Sequence, residues 1–385
     1  MRREVKEQIE GYREIQKEIA ILRKHSFSPL NTKGDVEETI NRYHPAEMSL
    51  KVSALIRESD STTTLRLVSP SGYLPPFQAG QYVNVFVEIN GVRTSRPYSI
   101  SSAPNQTGYY DLTIRGLAEG FVSNHLLGDV SVGRMLKTTG PTGNFYYNPL
   151  FHGRDLVFIA GGSGITPFMS MIREVTDRGL DRSIHLIYGS RTESDIIFEK
   201  ELREREERFD KLTVSHVIME PGPSFQGHRG VITADLIRQI VAIDQTSMFY
   251  VCGPEAMYSF VLKELASLGI PSRKTRVEAF GPPAQIEKQP GWPPSVKPDD
   301  RFKVYLSDGS TIEAIAGEPL MNSLERHGKT IPASCRSGEC SLCRTRLKSG
   351  TVFQPASVKT RKSDQVYNYI HPCMVYPLED LELWI

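Results

Sequence analysis

Between residues 48 and 148, apolar and polar residues alternate in short runs: LKVSALIRES, TTTLRLVS, QYVNVFVEI, RPYSIS and YDLTIRG. A period of two, cut every few residues by turn formers, predicts half-buried strands and an antiparallel β-barrel. The pattern changes over 149–280. DLVFIAGG, SIHLIYGS and SMFYVCGP are continuous apolar runs, while TPFMSMIREV and AMYSFVLKELASLG space their apolar residues as helices do. Strands alternating with helices predict a parallel, doubly wound α/β domain. A proline-rich run, GPPAQIEKQPGWPPSVKP at 281–298, reads as a stiff, extended spacer. Beyond it, over 299–385, RFKVYLSDGSTIEAIAG places Phe302, Val304 and Leu306 on one face, turns at Asp308-Gly309 and resumes at Ile312. That is a hairpin signal. A short helix follows in EPLMNSLERHG, with Leu320 and Leu324 four apart and Gly328 as its stop, so this last domain is α+β. At the other end, over 1–47, Val5, Ile9, Tyr12, Ile15, Ile19 and Leu22 recur at three- and four-residue steps. They predict an amphipathic helix, with a second over 35–43, packed on the barrel or, alternatively, docking a partner.

A chain of 385 residues is long for a single core, which agrees with several domains. Lys plus Arg number 46 against 45 Asp plus Glu, so no overall field favours nucleic acid. The long apolar stretch DLVFIAGGSGITPFMSMI is broken by glycines and a proline, and membrane insertion is not expected. The opening MRREVKEQIEGYREIQKE lacks the apolar core of a signal peptide, which with few cysteines points to a reduced, cytoplasmic setting.

Four of the five cysteines, Cys335, Cys340, Cys343 and Cys373, form C-x4-C-x2-C-x29-C. Structural zinc sites usually pair two short hooks of similar length, and here the fourth thiol has no close partner. Disulfides suit small secreted frameworks rather than this chain. The spacing matches the plant-type [2Fe–2S] arrangement, in which one loop gives three thiolates and a distant strand end the fourth. Ser337, Gly338 and Ser341 leave room for such a loop to curl around an inorganic core.

Two strand ends in the α/β domain suit a nucleotide. In LVFIAGGSGITPF a strand enters Gly161, Gly162 and Gly164, and Thr166-Pro167 opens a helix whose N–H groups can meet a pyrophosphate. The pattern is not a G-x-G-x-x-G. In FYVCGPEAM the design repeats at Cys252-Gly253-Pro254, where Cys252 by itself reads as a buried small residue. In the barrel, Arg96, Tyr98 and Ser99 could give a phosphate ligand, a ring to stack on and a hydrogen-bond partner, and a bare strand could carry them as well.

Arg96-Pro97-Tyr98-Ser99, Gly120-Phe121-Val122-Ser123, GGSGITP, CGP and VEAFG, in this order, closely resemble the ferredoxin-NADP reductase superfamily. The C-terminal segment resembles a plant-type ferredoxin β-grasp, and the whole is similar to reductases that serve Rieske oxygenases and the hybrid-cluster protein. The resemblance implies a flavin between barrel and nucleotide domain. Arg96 would hold its phosphate, Tyr98 would stack on the ring with Pro97 among the cofactor-binding residues, Ser99 would hydrogen-bond near N5, and Gly120, Val122 and Ser123 would wrap the phosphate region. Ile114 and Arg115 in LTIRG, followed by GFVSNHLL, favour FAD, with FMN the alternative. Thr166 and Cys252 would border the nicotinamide, with Glu278 and Phe280 closing the site, so Ser99, Cys252 and Glu278 are the candidate catalytic residues. Ser190 and Arg191 would approach the adenosine ribose, with NADH favoured and NADPH the alternative.

The implied activity is NAD(P)H-dependent electron transfer through flavin and a [2Fe–2S] cluster to a separate redox protein. Alternatives are an electron-transfer subunit of a larger complex, which would need a much shorter final cysteine gap, and a redox sensor that does not turn over. Arg336, Arg344, Arg346 and Lys348 around the cysteines, with Lys359, Arg361 and Lys362, suggest an acceptor with an acidic docking face.

Overall fold

The computed structural model describes residues 11–25, 33–243, 246–283, 285–358 and 360–385. These divide into two compact units, Met1–Ala46 and Glu47–Ile385. The first unit contains α1 (Tyr12–His25) and α2 (Lys33–Tyr43). Both match the expected helices where described; the turns expected around Val5 and Ile9 lie outside the described residues. Ile15, Ile21 and Leu22 of α1 and Val36 and Ile40 of α2 are exposed.

The second unit begins with six antiparallel strands: β1 (Met48–Ser59), β2 (Thr62–Val68), β3 (Tyr82–Ile89), β4 (Val92–Ser99), β5 (Tyr110–Arg115) and, after helix α3 (Phe121–Gly128), β6 (Met135–Thr138). Their order is β4-β3-β6-β1-β2-β5. Alternation sends Leu65, Leu67, Val83, Val85, Leu112 and Ile114 into one core. β4 pairs antiparallel with β3 and carries the polar residues that matter below.

The next layer is parallel: β7 (Asp155–Gly161), α4 (Ile165–Asp177), β8 (Ser183–Ser190), α5 (Glu199–Arg208), β9 (Leu212–Ile218), β10 (His228–Arg229), α6 (Ala234–Ile240), β11 (Met248–Gly253), α7 (Glu255–Ser267) and β12 (Thr275–Ala279). The order β10-β9-β8-β7-β11-β12 puts the ends of β7 and β11 side by side, with Cys252 opposite Ala160. Strands covered on both faces need apolar residues throughout, which is why β7 and β11 read as unbroken runs.

The C-terminal part contains β13 (Arg301–Leu306), β14 (Thr311–Ile315), α8 (Leu320–Arg326), β15 (Thr345–Ser349), β16 (Val352–Phe353), α9 (Lys362–Val366), β17 (Tyr369–Ile370), β18 (Tyr376–Pro377) and β19 (Leu381–Trp384). The hairpin β13–β14 joins the sheet β14-β13-β19-β15-β17, with β13 and β19 parallel. The proline-rich run is not an isolated extended spacer. Ile286 is buried, and the Trp292 ring lies edge-on to Phe353 at 5.2 Å while its Nε1 donates to Val296 O at 2.9 Å. Two apolar anchors fold the segment down where proline content alone suggested stiffness. Among the described residues no helix is long and apolar enough to cross a membrane.

Candidate functional site

Two adjoining cavities lie where the three layers meet. The first, about 430 Å³, is lined by Arg96–Ser99 of β4, Arg115, the start of α3 (Gly120, Val122, Ser123), Ser163 and Thr166 before and within α4, and Phe280. The C-terminal part closes it with Pro319, Met321, Asn322, Arg336 and Cys373. The second, about 370 Å³, shares Pro97, Ser99 and Phe280 with the first and reaches Cys335 and Cys340, with Glu278 in its wall. A larger depression of about 770 Å³ lies elsewhere, among charged side chains such as Arg205, which is already paired with Asp177 and Glu201.

Buried polar atoms without partners mark the first cavity as a ligand site. Ser99 Oγ, Ser123 Oγ and Arg336 Nε are all enclosed and unpaired, and orphaned groups of this kind are rare in finished interiors. Burial, and then the charge of Arg336, pull the Arg96 guanidinium down to about 10. Two cations crowded beside unpaired hydroxyls fit an anionic ligand such as a flavin phosphate, and the Tyr98 ring lies beside them. Ile114 points into the barrel core, so of the LTIRG pair only Arg115 reaches the cavity. Alternation along β5 decides this. Arg115 also ties the barrel to the parallel layer through Asp195 at 3.1 Å.

The strand-to-helix turn at 161–164 is built for close backbone approach. Gly162 has φ +52°, and a β-carbon there would meet the Arg115 guanidinium at 2.6 Å; at Gly164 it would meet Cys252 O at 2.1 Å. Gly164 caps α4 without a side-chain hydrogen bond, Pro167 sits in the first turn, and Thr166 Oγ1 donates to Ser163 O at 2.7 Å. No side chain caps this end of α4, and the Ile165 N–H bonds back to Gly162 O and Ser163 O of the preceding turn. Gly253 ends β11 and Pro254 caps α7. At the end of β8, Ser190 Oγ is buried and unpaired, and exposed Arg191 pairs with Glu220 at 3.1 Å.

Cys252 is completely buried opposite Ala160, and burial pushes its thiol well up. It stands in register with Glu278 across β11–β12. The Glu278 Oε2 is enclosed without a partner, and burial, then the charges of Glu339 and Cys335, hold its carboxyl well above the usual range. A carboxyl raised on folding stabilises the fold below its unfolded pKa, and that contribution is lost as pH rises through the folded value. Thermal midpoints of wild type and Glu278→Gln should therefore coincide near pH 4.5 and separate toward pH 8, with the variant the more stable. A wild type that gains on the variant at alkaline pH would mean an ionised, paired Glu278.

The four cysteines form two pairs. Cys343 Sγ lies 3.4 Å from Cys373 Sγ, and the Cys335 and Cys340 side chains hydrogen-bond each other. Backbone N–H groups of Ser337 and Cys340 donate to Cys335 Sγ, each at 3.4 Å. Among the described residues, no three Cys, His, Asp or Glu groups converge on a point that could hold one metal ion. Two thiol pairs instead suit a two-iron core with two ligands per iron. The loop is curled by left-handed residues at Arg336 (φ 51°), Gly338 (φ 81°) and Ser341 (φ 57°), which turns successive N–H groups inward. Cys373 comes from the turn between β17 and β18 rather than from a long strand.

Several residues of the site had not been singled out in the sequence. His371 is buried, its Nδ1 2.9 Å from Gly338 O and its Nε2 3.1 Å from Asp364 Oδ2, so it props the cysteine loop. Thr94 lies two residues before Arg96 on the same face of β4, a spacing that could have flagged it. Arg336, expected in an exposed basic rim, is instead buried and paired with Glu325, because its left-handed backbone turns it toward the barrel. Arg344, Arg346 and Lys348 do remain exposed.

Comparison with known proteins follows the same division. Residues 47–147 match the oxidoreductase FAD-binding domain, 158–263 the oxidoreductase NAD-binding domain, and 305–378 the 2Fe-2S iron-sulfur cluster binding domain. These three domains follow one another along the chain in that order. The chain is a reductase of the ferredoxin-NADP reductase superfamily with a fused ferredoxin domain, passing electrons from NAD(P)H through flavin and a [2Fe–2S] cluster to a separate redox partner. It is 28% identical to a glycine betaine monooxygenase reductase subunit of Pseudomonas aeruginosa, over 85% of this chain and 92% of that one. It is 27% identical to a 3-ketosteroid-9-alpha-monooxygenase ferredoxin reductase component of Mycobacterium tuberculosis, over 86% and 94%. Identity to NADH oxidoreductase HCR of Escherichia coli is 28%, over 87% and 96%. The fold matches that of phthalate dioxygenase reductase with a TM-score of 0.67, at 24% identity over 88% of this chain and 98% of the other.

Proposed function

We propose that the separate acceptor is the terminal component of an oxygenase, reached through the exposed edge of the cysteine loop. The observation that carries this is the surface beside the cysteines. Leu342, between Cys340 and Cys343, is 53% exposed, and cations flank it on aromatic supports: Arg344 over Tyr369, Arg346 and Lys348 over Trp384. An apolar contact in a rigid basic rim suits a protein with an acidic face. Relatives named as reductase components of monooxygenases, similar over nearly their whole length, support the class of acceptor.

The bound groups supply the redox chemistry, the flavin exchanging hydride for single electrons and the cluster carrying them singly. This chain's residues place and insulate them. Arg96, Gly120, Val122 and Ser123 would hold the flavin phosphate region; Pro97, Tyr98 and Ser99 would face its ring. Gly161, Gly162, Gly164 and Pro167 would cradle the nicotinamide dinucleotide phosphates, with Thr166, Cys252, Gly253, Pro254, Glu278 and Phe280 around the reacting end. Cys335, Cys340, Cys343 and Cys373 would ligate the cluster. Burial, and then the charges of Glu339 and Cys335, favour the neutral form of Glu278 beside the thiolates.

NADH is the favoured donor. Glu220, held by Arg191, offers a carboxylate to a ribose hydroxyl and repels a 2′-phosphate. Glu220→Ala should raise kcat/KM for NADPH relative to NADH, and a wild type that already prefers NADPH refutes this assignment. The acceptor is tested by combining the reductase with purified oxygenase components and following NADH-driven product formation. Transfer should slow with ionic strength more steeply than transfer to a neutral dye, and Arg344→Glu with Arg346→Glu should flatten that slope. Failure with every oxygenase component, alongside rapid reduction of a hybrid-cluster protein, would overturn the oxygenase reading.

A further inference from the structure

The cysteine loop and the flavin cavity are joined by one hydroxyl. Thr94 Oγ1 donates to Glu325 Oε2 at 2.8 Å and accepts from Arg96 Nη1 at 2.7 Å and Arg336 Nη2 at 3.1 Å. One donor and two lone pairs are all a threonine hydroxyl has, so Thr94 is saturated. Thr94 and Arg96 belong to the barrel, whereas Glu325 and Arg336 come from α8 and the cysteine loop. Arg336 also reaches Glu325 through Nη1 at 3.3 Å. The contact is buried: Thr94, Glu325 and Arg336 are 7%, 5% and 6% exposed.

This node is one negative charge short, with two guanidiniums facing one carboxylate. Both arginines line the flavin cavity, and Arg336 keeps an enclosed Nε without a partner there. A buried cation lacking full compensation is unfavourable until an anion arrives. The crowding is felt by Arg96, whose lowered pKa owes part of its shift to Arg336.

We propose that Arg336, supplied by the ferredoxin domain, is the second guanidinium of the flavin-phosphate wall, so that flavin binding and docking of the cluster loop on the barrel strengthen each other through Thr94. This rests on the reading that the first cavity takes the flavin. Coupling of this kind is reciprocal: whatever docking contributes to flavin affinity, flavin returns to docking. Tyr82 OH and Ser334 Oγ, 3.0 Å apart, supply a second contact across the same boundary, so losing the node loosens the domains without separating them.

The test uses the full-length protein, stripped of flavin with its cluster retained, and titrated with FAD. Arg336→Gln and Thr94→Val should each weaken FAD binding about tenfold, as expected for a lost hydrogen bond to a charged group. The visible spectrum of the cluster should be unchanged. In wild type, FAD should also slow tryptic cleavage after Lys288 of the linker segment, and that protection should shrink in both variants. If Arg96→Gln weakens FAD binding but Arg336→Gln does not, the linkage is wrong and the cavity assignment stands. If neither does, both are wrong. Faster cleavage by the same factor with and without FAD would mean that Arg336 merely supports the loop, and would also overturn the proposal.

Discussion

Cys340→Ser should abolish the visible spectrum of the cluster while NADH-driven reduction of ferricyanide survives. Cys340 belongs to the pair it forms with Cys335, and this pair alone borders the second cavity. Outer partners of metal ligands are already worth about 10–100-fold in metal affinity, so a lost thiolate should cost more. Serine keeps the size of the side chain but gives a hard, mostly protonated oxygen. The barrel and parallel layers have their own cores, separate from that of the C-terminal sheet, and should stay folded. Reduction of a protein acceptor should drop to background. Ferricyanide activity lost in parallel, with FAD still bound, would show that electrons do not leave the flavin independently of the cluster.

Glu325→Ala should be the most destabilising single change at the boundary between barrel and ferredoxin domain, by about 3–5 kcal/mol, because it leaves a buried guanidinium unpaired. Arg336 and Glu325 are a close pair with almost no exposed surface. Replacing both, as Glu325→Leu with Arg336→Met, should recover much of that loss, since well-packed apolar residues often substitute for a buried ion pair at little cost. Urea unfolding of the two proteins, with the cluster spectrum followed alongside, measures the difference. Equal destabilisation of single and double variants would mean that packing, not the unpaired charge, dominates.

Much of this molecule is written locally. Alternation in β1 to β5 and the unbroken runs of β7 and β11 gave the barrel and the parallel sheet, because each pattern meets a different burial demand. The cysteine spacing was legible because three ligands lie in one loop, and Gly162 because its neighbours Gly161 and Gly164 mark the same turn. Glu278 was singled out as a candidate through the family resemblance of VEAFG, but its raised pKa was not legible, since that depends on burial and on Glu339 and Cys335 arriving from other elements.

The sequence by itself determined the fold class, the order of its layers and the cysteine spacing that suits a [2Fe–2S] cluster, because periodicity, turn chemistry and ligand spacing are properties of short stretches of chain. Only the tertiary structure decided where Arg336 goes, what seats the linker and which groups meet at Thr94. Arg336 and Thr94 are 242 residues apart. A basic residue in a loop looks the same from its neighbours whether it faces solvent or a carboxylate brought in by another domain, so its role is fixed by packing at a boundary that no local pattern describes.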